Sequence, residues 1–153
     1  MIMCWTNGET EFIEKFSELA ENESSQFSLQ RENNDKLKHA MTAGADFHFL
    51  PSGEDEIDVV HFYIPLYGTI PIAKANSGFN DIVQDFNKSP DSGTGFVFVK
   101  EDKNDMTKVL DKAFDVYEDE DQWQQICQNA MALGYSWHAA GPNYTKSLKR
   151  LFE

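Results

Sequence analysis

Short apolar runs separated by segments of helical periodicity recur along this chain, and that alternation constrains its fold more than any other feature. Ile2-Met3-Cys4-Trp5 is an apolar run closed by the turn formers Thr6-Asn7-Gly8. Phe27-Ser28-Leu29, Phe47-His48-Phe49-Leu50, Ile70-Pro71-Ile72-Ala73 and residues 95–100 read as further strands. Between them, residues 9–22 set Phe12, Phe16, Leu19 and Ala20 at helical spacing, and residues 33–43 carry Leu37, Ala40 and Met41 in the same way. Residues 58–67 and 80–86 complete the alternation as helices. Strands that alternate with helices form βαβ units, which connect right-handed and build a parallel sheet with helices on its faces. The expectation is one α/β domain over residues 1–153.

The last third of the chain is helical by pattern. Met106, Val109, Leu110, Ala113, Phe114 and Tyr117 give an amphipathic helix, residues 121–133 a second that stops at Gly134, and residues 136–152 a third interrupted at Gly141-Pro142. Residues 87–94, Asn-Lys-Ser-Pro-Asp-Ser-Gly-Thr, are dense in turn formers and read as a loop. Ligands of parallel sheets bind beyond the carboxyl ends of the strands. On this reading three loops leave that edge, 6–8, 51–58 and 73–78, and gather there.

With 153 residues the chain buries roughly 70% of its unfolded surface, enough for a core without disulfides. It holds 26 Asp and Glu against 13 Lys and Arg, a net charge of −13. Such a charge argues against nucleic acid and anionic membranes as partners, because both need a basic face. It also opposes a bound diphosphate unless local charge runs against the global field. Cys4 and Cys127 stand far apart in apolar patterns and suggest buried thiols. No signal peptide or membrane span is legible, so a cytoplasmic protein is expected.

Few constellations carry independent chemistry. The run Glu54-Asp55-Glu56-Ile57-Asp58 lacks the ligand spacing of an EF-hand and reads as a solvated helix cap. His39, His48, His61 and His138 lack zinc spacing, so neither a metal nor a cofactor is expected. Phe114, Tyr117, Trp123, Tyr135, Trp137 and Tyr144 sit at helical spacing, which favours core packing over a sugar-stacking platform.

Several motifs in fixed order carry a resemblance. Ala43-Gly44-Ala45-Asp46 and Leu50-Pro51-Ser52 precede the continuous stretch from Leu66-Tyr67-Gly68-Thr69-Ile70-Pro71 to Ser77-Gly78-Phe79-Asn80-Asp81. Gly93-Thr94-Gly95-Phe96-Val97-Phe98 follows, then Asp121-x-Trp123, Asn129-x-Met131, Tyr135-Ser136-Trp137 and Tyr144. In this order the chain resembles the C-terminal domain of a glycogen or starch synthase over nearly its whole length. Those enzymes are retaining glucosyltransferases of GT-B architecture, two facing Rossmann-like domains. The resemblance implies a Rossmann-like parallel sheet with flanking helices, a donor such as ADP-glucose or UDP-glucose, and an α-glucan acceptor. It also implies an N-terminal half as partner.

The departures from the family fall where the donor is held. Asp55 aligns with the loop glutamate that contacts the donor sugar, one methylene short, and Ile57, Asp58 and Val59 align with a Cys-Gly-Leu whose backbone faces the donor. Gly53 replaces an arginine, Asn33 an aromatic that stacks on the base, and Ser77 the first glycine of a Gly-Gly pair. Pro65 stands where the family has a helix former, and His39 matches a family histidine. The family's phosphate-clamping Arg and Lys align before residue 1, as does the acceptor-side domain. The resemblance therefore implies donor contacts at Asp55, Ile57, Asp58, Val59, Tyr67, Gly68, Thr69, Ser77 and Gly78 and a chain incomplete for transfer on its own. The alternative it leaves open is a non-catalytic pseudoenzyme that binds or regulates in glucan metabolism.

Overall fold

The structure, a computed structural model, describes residues 1–6, 9–32, 34–51, 60–75 and 78–152. Its contacts group into two compact units, Met1–Met41 and Thr42–Glu153.

The first unit is a βαβ motif. Strand β1 (Ile2–Trp5) leads to helix α1 (Thr10–Asn22) and returns in β2 (Phe27–Gln30), parallel to β1 with Ile2 opposite Phe27 and Trp5 opposite Gln30. Helix α1 carries Glu11 in its first turn, where an acid complements the helix dipole. Its inner face brings the Phe16 ring onto Phe27 at 5.9 Å. The Trp5 indole donates to the Glu32 carbonyl at 3.0 Å, and the Lys38 ammonium lies 4.3 Å from the Trp5 ring centre. Helix α2 (Asp35–Ala43) begins in this unit.

The second unit holds a three-stranded parallel sheet of β3 (Phe47–Leu50), β4 (Ile70–Lys74) and β5 (Phe96–Phe98), in that spatial order. Phe47 pairs with Ile70 and Leu50 with Ala73, while Ile72 pairs with Phe96 and Lys74 with Phe98. The central strand is buried through Ala73, as a parallel strand covered on both faces must be. Side chains alternate between the faces. Ile70, Ile72, Phe96 and Phe98 pack with Ala113 and Val116 of α5 (Lys103–Glu118) and with Ile126 and Ala130 of α6 (Glu120–Met131). On the other face Ala73 and Val97 meet Phe79, Ile82 and Val83. Both sheets are parallel with flanking helices, as a Rossmann-like α/β fold requires.

Local chemistry explains where the elements differ from the sequence expectations. The helix expected over 58–67 is described from Val60 and stops at Tyr63; Pro65 opens a separate 3₁₀ turn, Pro65–Tyr67. Proline lacks the amide that the next helical bond needs. The helix expected over 80–86 is instead α4 (Phe79–Ile82). Val83 is already extended, because Asp85 forms a parallel bridge with Gly95 and the Thr94 amide donates to the Gln84 carbonyl at 2.8 Å. A Cβ at Gly95 would lie 2.6 Å from the Pro71 carbonyl oxygen, so only glycine allows this approach. The last helix, α7 (Trp137–Lys149), runs through Pro142 rather than breaking there.

The aromatic residues divide. Phe47 is ringed by Phe114, Tyr117 and Trp123 at 5.8, 5.7 and 5.1 Å, in tilted and edge-on geometry. The Tyr135 hydroxyl donates to the Ile82 carbonyl at 2.6 Å, and its ring meets Phe62. Phe114 and Tyr117 touch Phe47 but stay largely exposed, so they line the edge of the core rather than fill it as expected. Trp137 and Tyr144 do not join the core either. They contact each other at 5.7 Å but are 79% and 61% exposed, because α7 buries no residue.

Candidate functional site

In the second unit the carboxyl ends of β3, β4 and β5 share one edge, since the three strands are parallel and in register. The segments 51–59 and 75–78 leave adjacent strands at this edge, and β5 sends residues 99–102 from the same side. Of the three loops expected to gather, 51–58 and 73–78 follow β3 and β4, but residues 52–58 and 76–77 lie outside the described residues. The third, 6–8, follows β1 in the other unit.

Asp55, Ile57, Asp58, Val59 and Ser77 lie outside the described residues, as do Asn33 and the rest of the acidic run. Gly78 is described; it is half-buried and immediately precedes α4.

Tyr67, Gly68 and Thr69 lie elsewhere. They precede β4 and so stand at its amino end, with the length of the strand between them and residues 75–78. At about 3.3 Å per residue that separation exceeds roughly 15 Å. Gly68 ends the 3₁₀ turn with φ +76°, its amide donating to the Pro65 carbonyl at 2.9 Å. A left-handed residue at such a corner is normally glycine. The buried Thr69 hydroxyl lies 2.5 Å from the Thr42 carbonyl and 3.0 Å from that of Ala45. It thereby ties the Tyr67-Gly68-Thr69 motif to the Ala43–Asp46 motif. The Cys127 thiol reaches the Gly68 carbonyl at 3.6 Å, and burial raises that thiol above its ordinary pKa. These contacts make a structural corner of the motif.

Three residues at the carboxyl edge were missed in the sequence. Lys74, the last residue of β4, forms an ion pair with Glu101 beyond β5. Asp105, in the first turn of α5, accepts from the amides of Val99 and Lys100 at 2.9 and 2.8 Å. Those two bonds hold its carboxyl below the ordinary range. The spacing Asp102-x-x-Asp105 before an apolar helical run was the available signal: the Asp102 side chain caps α5 by accepting from the Asp105 amide at 2.9 Å.

His48, on β3, is lowered to about 4, first by burial and then by repulsion from His61. It is neutral at pH 7 and carries no charge toward a ligand. Among the described residues no group of three His, Cys, Asp or Glu side chains is arranged to hold a metal ion. No helix among them is long and apolar enough to cross a membrane.

No family model matches the chain. Curated relatives do. A glycogen synthase of Bacillus cereus is 30% identical over 96% of this chain, and one of Koribacter versatilis 28% identical over 92%. The chain spans only 31% and 29% of their respective lengths. Among solved structures, the catalytic domain of starch synthase IV from Arabidopsis thaliana, bound to ADP and acarbose, superimposes with a TM-score of 0.80 at 24% identity. That match covers 93% of this chain and 30% of the other.

Fold and likeness together define the class, a Rossmann-like α/β domain whose curated relatives are glycogen synthases. Within that class the chain is a divergent C-terminal domain of the glycogen and starch synthase-like kind.

Proposed function

We propose that this domain is the donor side of a glucosyl transfer from ADP- or UDP-glucose to an α-1,4-glucan, incomplete by itself. The observation that carries the reading is the shared carboxyl edge of β3 and β4, from which both donor-loop segments leave. Parallel sheets hold their ligands there. The solved starch synthase neighbour was bound to ADP and acarbose, a nucleotide and a sugar ligand. Donor contacts are assigned to Asp55, the 57–59 backbone and Ser77-Gly78. Tyr67, Gly68 and Thr69 act from behind, by setting the start of β4.

A thermal shift measured with each nucleotide sugar tests this. Ligand at 100 times its dissociation constant stabilises by about 2.7 kcal/mol, which for a domain of this size is roughly 5–10 °C. A shift of that size supports a donor site; no shift at millimolar ligand removes it. Glucosyl transfer is expected only when an acceptor-side half is added.

The acidic run favours a second reading, a non-catalytic module that binds a partner or glucan. Four carboxylates in Gly53-Glu54-Asp55-Glu56-Ile57-Asp58 oppose a diphosphate through charge alone. The combined change Glu54→Phe, Asp55→Glu, Glu56→Pro, Ile57→Cys and Asp58→Gly separates the two. Donor binding gained by that variant means an intact pocket with an altered loop. No gain means that the scaffold has left donor chemistry.

A further inference from the structure

The β5–α5 connection supplies carboxylates to the positive groups of the carboxyl edge. Asp105 accepts from the two amides that follow β5, and Glu101 pairs with Lys74 at the end of β4. The two carboxylates are not equivalent. Asp105 accepts two backbone bonds and lies in the first turn of a long helix, so it belongs to the turn itself. Glu101 makes one side-chain contact and is 59% exposed, whereas Lys74 is only 22% exposed. A pair held by one contact to an exposed carboxylate contributes little stability. Lys74 is also the residue directly before the 75–78 segment.

We propose that Lys74 binds the diphosphate of a nucleotide sugar and that Glu101 is a built-in competitor occupying Lys74 until that ligand displaces it. The inference rests on the donor-side reading above and adds a regulator to it. It also bears on how a domain of net charge −13 admits an anion. An ammonium already neutralised by a carboxylate contributes little to ligand affinity, and releasing it restores a charge-assisted bond.

The test is calorimetric titration of the full chain with ADP-glucose and UDP-glucose, across a double-mutant cycle of Glu101→Gln and Lys74→Met. Glu101→Gln should tighten binding about two- to fivefold, the range set by an exposed ion pair. Lys74→Met should weaken it about tenfold, and Lys74→Arg should stay near wild type. The cycle is decisive: Glu101→Gln must lose its effect in the Lys74→Met background. If it tightens binding equally there, only the general field has changed and the inference falls. If wild type binds and Glu101→Gln changes nothing, the inference falls while the donor-side reading stands. If neither wild type nor Glu101→Gln binds at millimolar ligand, both fall. Thermal midpoints of the unliganded variants show that each is folded.

Discussion

Thr69 illustrates what a motif can hide. In the sequence it belongs to a stretch that resembles a donor site; in the structure its hydroxyl serves the carbonyls of Thr42 and Ala45 at the far end of β4. Thr69→Val keeps the shape and removes the donor, leaving those carbonyls without their hydroxyl partner. The expected loss is about 1–2 kcal/mol in urea unfolding. Nucleotide-sugar affinity should not change in the folded variant; a loss of affinity without a loss of stability would return the residue to the pocket. The motif's order along the chain was legible, but its spatial side was not weighed: a strand divides residues 67–69 from residues 75–78. His48 adds a pH dependence. Its folded pKa of about 4 lies below the ordinary 6.5, so the unfolded chain binds more protons between those values. Its contribution to stability is complete above about pH 6.5 and falls as pH drops toward 4. Between pH 7 and 4.5 the His48 share is roughly 2–3 kcal/mol. It should be read as the difference between wild type and His48→Gln in urea unfolding at the two values, with the variant losing less.

At the scale of elements, apolar spacing was a good guide to existence and a poorer one to ends. The strands starting at Ile2, Phe27, Phe47 and Ile70 lie where their runs predict. Strand β4 is buried almost throughout, as a covered parallel strand must be, whereas β1 is apolar yet largely exposed. The helix expected over 80–86 ended early because its last residues pair with Thr94 and Gly95, a long-range contact that no local pattern encodes. Helix α7 shows the opposite case. Ser136 caps it through the Ala139 amide, and the helix continues past Pro142 although the sequence suggested a break there. Yet it fully buries no side chain, so packing adds little to its local bonds. Helices without a packed face open readily. In native-state hydrogen exchange the α7 amides should exchange at least about tenfold faster than those of α5 and α6, whose Ala113, Val116, Ile126 and Ala130 are buried. Equal protection across the three helices would show that something covers α7 in solution.

The whole molecule is governed by a charge that the sequence displayed from the outset. Against the net −13 the structure sets few attractions: among the described residues, ion pairs join Lys15 to Glu11, Lys74 to Glu101, Lys88 to Asp85 and Lys112 to Asp115. Three of the four are between residues three or four apart on the chain, a spacing that supports local structure and holds no distant elements together. The repulsion is long in range and the attractions short. Salt screens charges beyond about 10 Å at 0.1 M and therefore removes more repulsion than attraction. The melting temperature should rise by a few degrees as NaCl goes from about 0.01 to 0.5 M at pH 7. The same salt series near pH 5 should show a smaller rise, because some carboxylates are then protonated and less repulsion remains to be screened. A melting temperature that falls with salt at pH 7 would mean that the ion pairs outweigh the net field. In that case the Lys74–Glu101 contact, the one pair joining segments 27 residues apart, would be the first to examine.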